Sequence, residues 1–281
     1  EVSEQGTVLP IYILDDEHSG EHQLGAASRW WLHHSLKKLN ESLDGALCVY
    51  AGDPQTILVE LIARLNIKAL YWNRCYEPWR TLRDKKIKEA LRAHGIDCQS
   101  FNGSLLWEPW KVLKSDGTPY KVFTPYYRKR RLTAEPPREP LPKPDRLTLQ
   151  RDTSCSLTID DLGLLPKTAW DIKLEPHWEI GEEGAQDKLA KFIDNRLADY
   201  KEGRNFPAKQ SVSRLSPHLH FGEISPNQAW YAAKSLANSD DLDHFLSELG
   251  WREFSHCLLY YFPELPNKNL QPKFDRFPWV E

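Results

Sequence analysis

The chain has 281 residues, 40% of them hydrophobic and 27% charged, which is enough for one large domain or two ordinary ones with a sizeable core. No run approaches the roughly 18 apolar residues of a membrane span. Five scattered cysteines (48, 75, 98, 155 and 257), never in a Cys-x-x-Cys pair, argue for reduced thiols in a cytoplasmic protein, without a zinc site or disulfide framework, and the net charge of −3 gives no global sign of nucleic-acid binding.

The first hundred residues alternate strand and helix. Val8 to Leu14 is a short apolar run ending in Asp15-Asp16 and reads as a buried parallel strand. From Leu24 to Leu43, apolar residues recur at helical spacing. Ala46 to Ala51 reads as a strand, and Asp53-Pro54 opens the next helix as N-cap and first helical residue. Ala69 to Trp72 is a third strand, Thr81 to Ala93 a charged helix stopped by Gly95, and Asp97 to Phe101 a fourth strand. Repeated strand–helix units predict a Rossmann-like parallel sheet wrapped by helices. The half carries neither Gly-x-Gly-x-x-Gly nor a P-loop. With no methionine anywhere and an apolar strand almost at once, the N-terminus reads as an internal cut or a processed end, and the polar, acidic opening has no signal-peptide pattern.

Residues 126–185 change character. Tyr126-Tyr127-Arg128-Lys129-Arg130-Arg131 is a basic run, followed by Pro136, Pro137, Pro140, Pro142 and Pro144. The stretch reads as a linker stiffened by proline, its basic run either a solvated surface or a phosphate contact. From Gln186 the pattern is helical. Ser216-Pro217 and Ser225-Pro226 each look like an N-cap followed by proline, Gly222 ends the short helix between them, and Asp240 or Asp241 is expected to cap a long helix running to about Phe262.

Two segments carry chemistry. In Ser211 to Gly222, the hydroxyls of Ser213 and Ser216 sit beside a helix start, and Arg214 adds positive charge; that set suits a phosphate, or it is a capped helix start that binds nothing. On the long helix, Leu242, Phe245, Leu246, Leu249 and Leu258 form an apolar stripe, whereas His244, Glu248, Trp251, Arg252 and Ser255 share another face. That second face is either a salt-bridged surface with a stray Trp or the lining of a cavity for a flat, hydrogen-bonding ligand.

Ser-Arg-Leu-Ser-Pro-His-Leu-His-Phe-Gly-Glu-Ile-Ser (213–225) closely resembles the flavin-phosphate loop of the photolyase/cryptochrome family, and Glu-Leu-Gly-Trp-Arg-Glu-Phe (248–254) resembles that family's helix between flavin and substrate. Tyr200 with Arg204-Asn205-Phe206-Pro207 is similar to the stretch before the loop. Trp72 to Glu77 and Phe101 to Leu106 look like parts of the N-terminal, antenna-binding domain.

The resemblance implies an α/β antenna-binding domain at 1–125 with its first strand missing, an interdomain linker at 126–185, and the beginning of an all-α FAD-binding domain at 186–281. Tyr200 and the loop Val212, Ser213, Arg214, Leu215 and Ser216 would hold FAD, with Arg252 facing the flavin; Val212 lacks the hydroxyl that threonine often supplies in relatives. Glu248 and Trp251 would meet a flipped-out pyrimidine dimer by hydrogen bonding and stacking, Arg204 would touch DNA phosphate, and Trp279 would relay electrons to the flavin. The implied activity is blue-light-driven repair of cyclobutane pyrimidine dimers, with methenyltetrahydrofolate or a deazaflavin as a possible antenna and a monomer as the expected state. The alternatives are a cryptochrome-type photoreceptor, or a flavin-free fragment. Plant cryptochromes typically lose the Glu and Trp partners, relatives that repair (6-4) photoproducts usually carry Gln at the position of Glu248, and Gly250 points to the branch near plant cryptochromes. Family members continue with further helices beyond Trp279, so this chain alone is expected to hold FAD weakly or not at all.

Overall fold

The computed structural model describes residues 6–133, 135–144, 146–155 and 157–278. Four strands in two separate parallel pairs, with three α-helices, make up the first hundred residues. β1 (Ile11–Leu14) pairs with β2 (Cys48–Ala51), Ile11 opposite Cys48, and β3 (Ala69–Asn73) pairs with β4 (Asp97–Phe101), Ala69 opposite Asp97. The connecting helices are α1 (Ala26–Ser42), α2 (Pro54–Leu65) and α3 (Pro78–Ala93). Short apolar strands followed by helices close in this way because parallel neighbours need a long crossover. The cap of α2 is as expected: the Asp53 carboxylate accepts from the Gln55 and Thr56 N–H groups, and Pro54 supplies the first helical residue. Helix α3 starts three residues earlier than its apolar periodicity suggests, because Pro78 fits a first helical position.

The strand expected over Val8–Leu14 is shorter. Pro10 has no N–H to give the ladder, and strand geometry begins at Ile11. Val8 instead bridges to Leu149: its N–H donates to the Thr148 carbonyl at 2.8 Å, and its own carbonyl accepts from Gln150 N–H at 2.9 Å.

The stretch expected to be linker from residue 126 differs more. A helix, α4 (Phe123–Thr133), runs through the basic segment. Tyr126 is buried in the core beside Phe254, which pins the helix, and the prolines from Pro136 onward prevent its extension. Beyond it the chain is tied down rather than free. Trp107 Nε1–H donates to the Glu135 carbonyl, Asn227 Nδ2–H to that of Arg138, and the Tyr231 hydroxyl to that of Pro137. Asp152, with its side chain sealed from solvent, accepts from Arg64 and from the Tyr50 hydroxyl at 2.7 Å. Ile159, Leu162 and Leu164 complete the core made by Leu14, Leu32, Leu36 and Val49.

The second half is helical: α5 (Glu182–Asn195), α6 (Tyr200–Gly203), α7 (Ser216–Phe221), α8 (Pro226–Lys234) and α9 (Asp240–Tyr261). Its core joins Phe192, Tyr200, Leu215, Phe245 and Phe254 to Leu106, Trp107 and Tyr126 of the preceding segments, so the two halves share buried surface. A polar contact crosses the same boundary: Trp31 Nε1–H donates to Glu223, whose other oxygen lies 2.6 Å from His218 Nδ1.

Two expected caps move. The long helix is capped by the Ser239 hydroxyl, which accepts from Leu242 N–H, because Ser239 has the extended backbone a cap needs; Asp240 and Asp241 fall in the first turn, where they favour the helix dipole. Ser216 is the first helical residue rather than the cap, and Leu215 precedes it without a side-chain bond. Gly222 ends α7 at φ +76°, a left-handed conformation that a side chain would strain. Ser225 makes the reciprocal capping box with Gln228. Ser225→Ala should therefore lower unfolding stability by about 1 kcal/mol, measured by urea denaturation.

Candidate functional site

A cavity of about 470 Å³ opens where α6, α7 and α9 meet the segments after β3 and β4. Its apolar wall comes from Leu215, Leu219, Phe245 and Leu249, and Tyr200 adds a buried phenol whose pKa is raised by burial. Ser213, Ser216, Ser104 and Arg252 supply a polar edge. Helix periodicity explains the α9 contribution: residues 245, 248, 249, 252 and 256 fall at three- and four-residue steps and look into one space.

The most constrained group is the carboxylate of Glu253, fully buried behind the cavity. Its Oε2 accepts from the backbone N–H of Leu106 at 2.9 Å and of Trp107 at 3.2 Å. Its Oε1 accepts from Arg252 Nη1 at 3.2 Å, and the same Nη1 donates to the Ser104 carbonyl at 2.7 Å. Burial pushes the Arg252 guanidinium down from its ordinary value, and the charge of Glu253 opposes that shift. The arrangement fixes Arg252 against the cavity and locks α9 to the turn after β4.

A second ion pair lies at the other end of the helix face. Arg204 and Glu248 are 2.6 Å apart, and His244 is 3.9 Å from the same carboxylate oxygen. The bond to Glu248 is the main reason the Arg204 pKa is raised. The Arg204 guanidinium also lies 5.3 Å from the Tyr200 ring centroid, so the aromatic wall and the ion pair brace each other.

The sequence-predicted residues divide into those the fold gathers and those it does not. Tyr200, Ser213, Leu215, Ser216, Glu248 and Arg252 all line the cavity. Arg204 reaches it through Glu248. Arg214 has a left-handed backbone, φ +54°, and its guanidinium lies 4.7 Å from the Trp178 ring, so it braces the loop from outside. Val212 is exposed and lies outside the lining, as does Trp251, which is 45% exposed. Trp279 falls outside the described residues.

Sequence reasoning missed Arg80 and His256, which also line the cavity. His256 follows Arg252 by one helical step, so extending the 248–252 spacing finds it; Arg80 comes from α3, and no local signal marks it. Burial is the main reason the His256 pKa falls from 6.5 to about 4, and the charge of Arg252 adds to the effect. His220, on the same lining, is also lowered, mainly by burial. The site therefore presents two neutral imidazoles at neutral pH.

Residues 2–145 match the DNA photolyase family. The chain belongs to the photolyase/cryptochrome family. It is 42% identical to the deoxyribodipyrimidine photo-lyase of Agrobacterium fabrum, covering 99% of this chain and 59% of that relative. It is 32% identical to cryptochrome-2 of Arabidopsis thaliana, over 98% of this chain and 48% of the relative. The crystal structure of a bacterial class III photolyase from Agrobacterium tumefaciens superposes with a TM-score of 0.91 at 40% identity, covering all of this chain and 59% of that one. The chain thus spans about three-fifths of the length of these photolyases. Its combination of an α/β part and a helical part is that of photolyases and cryptochromes. Among the described residues no helix is long and apolar enough to cross a membrane.

The donor set of this cavity fits a flavin nucleotide. Tyr200 and Phe245 offer aromatic surface, the hydroxyl of Ser216 is uncommitted among the described residues, and Arg252 is held at the edge with hydrogen-bond donors to spare.

Two outcomes test this geometry. Glu253→Ala orphans two buried N–H groups and strips Arg252 of its carboxylate, and should cost about 2–4 kcal/mol in thermal or urea unfolding. His256 has a folded pKa below its unfolded one, so the unfolded chain binds more protons between about pH 6.5 and about pH 4. The folded state should lose stability as pH falls through that window. His256→Asn should flatten this part of the stability profile relative to wild type, and the ring should titrate near pH 4 by NMR.

Proposed function

We propose that the chain is part of a deoxyribodipyrimidine photo-lyase, which uses FAD and blue light to split cyclobutane pyrimidine dimers in DNA. The carrying observation is the division of labour on α9: Arg252 faces the cavity, Trp251, beside it in sequence, emerges at the surface, and Glu248, one turn before, sits at the cavity rim with part of its side chain open to solvent. One helix then stands between a flavin on its inner side and a nucleotide on its outer side.

In this reading Tyr200, Ser213, Leu215 and Ser216 hold FAD, and Arg252, fixed by Glu253 and the Ser104 carbonyl, faces its ring system. When bound, FAD supplies light-driven one-electron chemistry, and the protein supplies binding, orientation and a dry environment. The apolar wall excludes water, and His220 and His256 stay neutral beside Arg252, adding no further charge to be desolvated. Glu248 hydrogen-bonds the extruded pyrimidines, Trp251 stacks on them, and Arg204 exchanges its pairing with Glu248 for a DNA phosphate. Splitting a cyclobutane ring by electron transfer needs no general acid or base, in keeping with the roles given to these side chains. Residues 1–125 form the antenna-binding domain, with methenyltetrahydrofolate or a deazaflavin as its ligand, residues 126–185 connect the two domains, and residues 186–281 begin the flavin domain.

The test is repair by the complete gene product, reconstituted with FAD and reduced. Blue light should remove dimers from irradiated oligonucleotides, and darkness should not. Bound flavin without light-dependent repair would instead make the protein a cryptochrome-type photoreceptor. Trp251→Ala should weaken binding of dimer-containing DNA by roughly 1–3 kcal/mol, the worth of one base–aromatic stack.

A further inference from the structure

Trp251 is well exposed, but it is not a lone surface ring. Its centroid lies 3.7 Å from that of Phe123, with the planes 13° apart. Tyr127, one turn further along α4, stacks on Phe123 at 5.3 Å and 18°. Phe254 meets the indole edge-on at 5.9 Å. Three near-parallel rings thus join α9 to α4, and among the described residues no ring stacks on the remaining face of the indole.

The charge around this stack differs from that of the whole chain. Helix α4 contains no acidic residue; Arg128 and Lys129 are exposed on it, and Lys121, two residues before its start, is exposed as well. A basic helix carrying a ring stack suits a phosphodiester strand with an unstacked base, and suits neither an acidic peptide without flat groups nor an apolar partner.

We propose that Trp251, Phe123 and Tyr127 form one stacking surface for an extruded nucleotide, in which the base extends the stack on the open face of Trp251 and Phe123 is the positioning residue that fixes the indole plane. The inference rests on the DNA-repair reading and deepens it, because it moves part of lesion recognition onto α4. An indole held in plane before binding loses less rotational freedom when a base arrives. The exposed side chain of Arg128 pairs with phosphate beside the stack.

The experiment is fluorescence anisotropy on the complete gene product, using a duplex with a single thymine dimer and its undamaged twin. Phe123→Leu keeps apolar volume without a flat ring, and it guards against a variant that fails only because it unfolds. Phe123→Ala and Phe123→Leu should each weaken dimer binding about 5- to 10-fold while undamaged binding stays within about twofold, and Phe123→Tyr should restore it. In a Trp251→Ala background, Phe123→Leu should add less than about twofold, because the two residues act as one unit. Arg128→Gln should reduce the slope of log affinity against log salt by about one. Wild-type dimer affinity in Phe123→Leu, with Trp251→Ala still impaired, overturns the inference alone, as does full additivity of the two. An unchanged salt slope in Arg128→Gln removes α4 from the interface. Unchanged dimer affinity in Trp251→Ala overturns the repair reading itself, and the stack with it.

Discussion

The buried carboxylate of Glu253 is the contact on which the site depends. A charge removed from water is expensive unless its lone pairs are used, and here they are: two backbone N–H groups take one oxygen and Arg252 takes the other. The partners lie nearly 150 positions apart in the chain. One side chain therefore sets the register between the long helix and the end of the α/β half. The cavity exists because that register holds: Arg252 comes from one side, Ser104 from the other, and they are joined by a hydrogen bond. The shared apolar core of Trp107, Tyr126, Phe254 and their neighbours supplies burial, and Glu253 supplies the alignment that burial alone leaves loose.

Around this anchor the charged groups pair with each other. Arg204 holds Glu248, Arg83 holds Asp15, and Arg64 holds Asp152. The first pair differs from the others in exposure. Asp15 and Asp152 are sealed from solvent, whereas Arg204 and Glu248 both retain access to it. A pair of that kind is inexpensive to open. It can be exchanged for a ligand without leaving a buried charge behind, whereas opening Asp152 or Glu253 would strand one.

The two faces of the long helix show why a single stripe in the sequence held two meanings. His244, Glu248, Trp251, Arg252 and Ser255 share a broad arc, which fits a solvated surface or a cavity wall equally well. Tertiary packing splits the arc. Arg252 and His256 turn inward, Glu248 stays at the rim paired with Arg204, and Trp251 turns onto Phe123. Helical periodicity states which residues are neighbours, but it does not state where the neighbouring elements stand. Burial and the distance to a second element supply that information.

The sequence by itself determined the parallel strand–helix order, the caps at Asp53 and Ser225, the stop at Gly222 and the long helix, because each rests on chain-local rules of periodicity, capping and backbone freedom. It also carried the family resemblance and six of the residues that the fold gathers into the cavity. Only the tertiary structure decided the rest. It made residues 123–133 a helix, because burial of Tyr126 outweighs a basic and proline-flanked composition. It turned Arg214 toward Trp178 and left Val212 and Trp251 outside the cavity, since a loop's direction depends on the surfaces it lies against. It brought in Arg80 from a helix that has no motif. It also identified Glu253, an unremarked member of a recognised motif, as the buried carboxylate aligning the two halves. A carboxylate's partners, when they are backbone N–H groups nearly 150 residues away, leave no mark on the sequence around it.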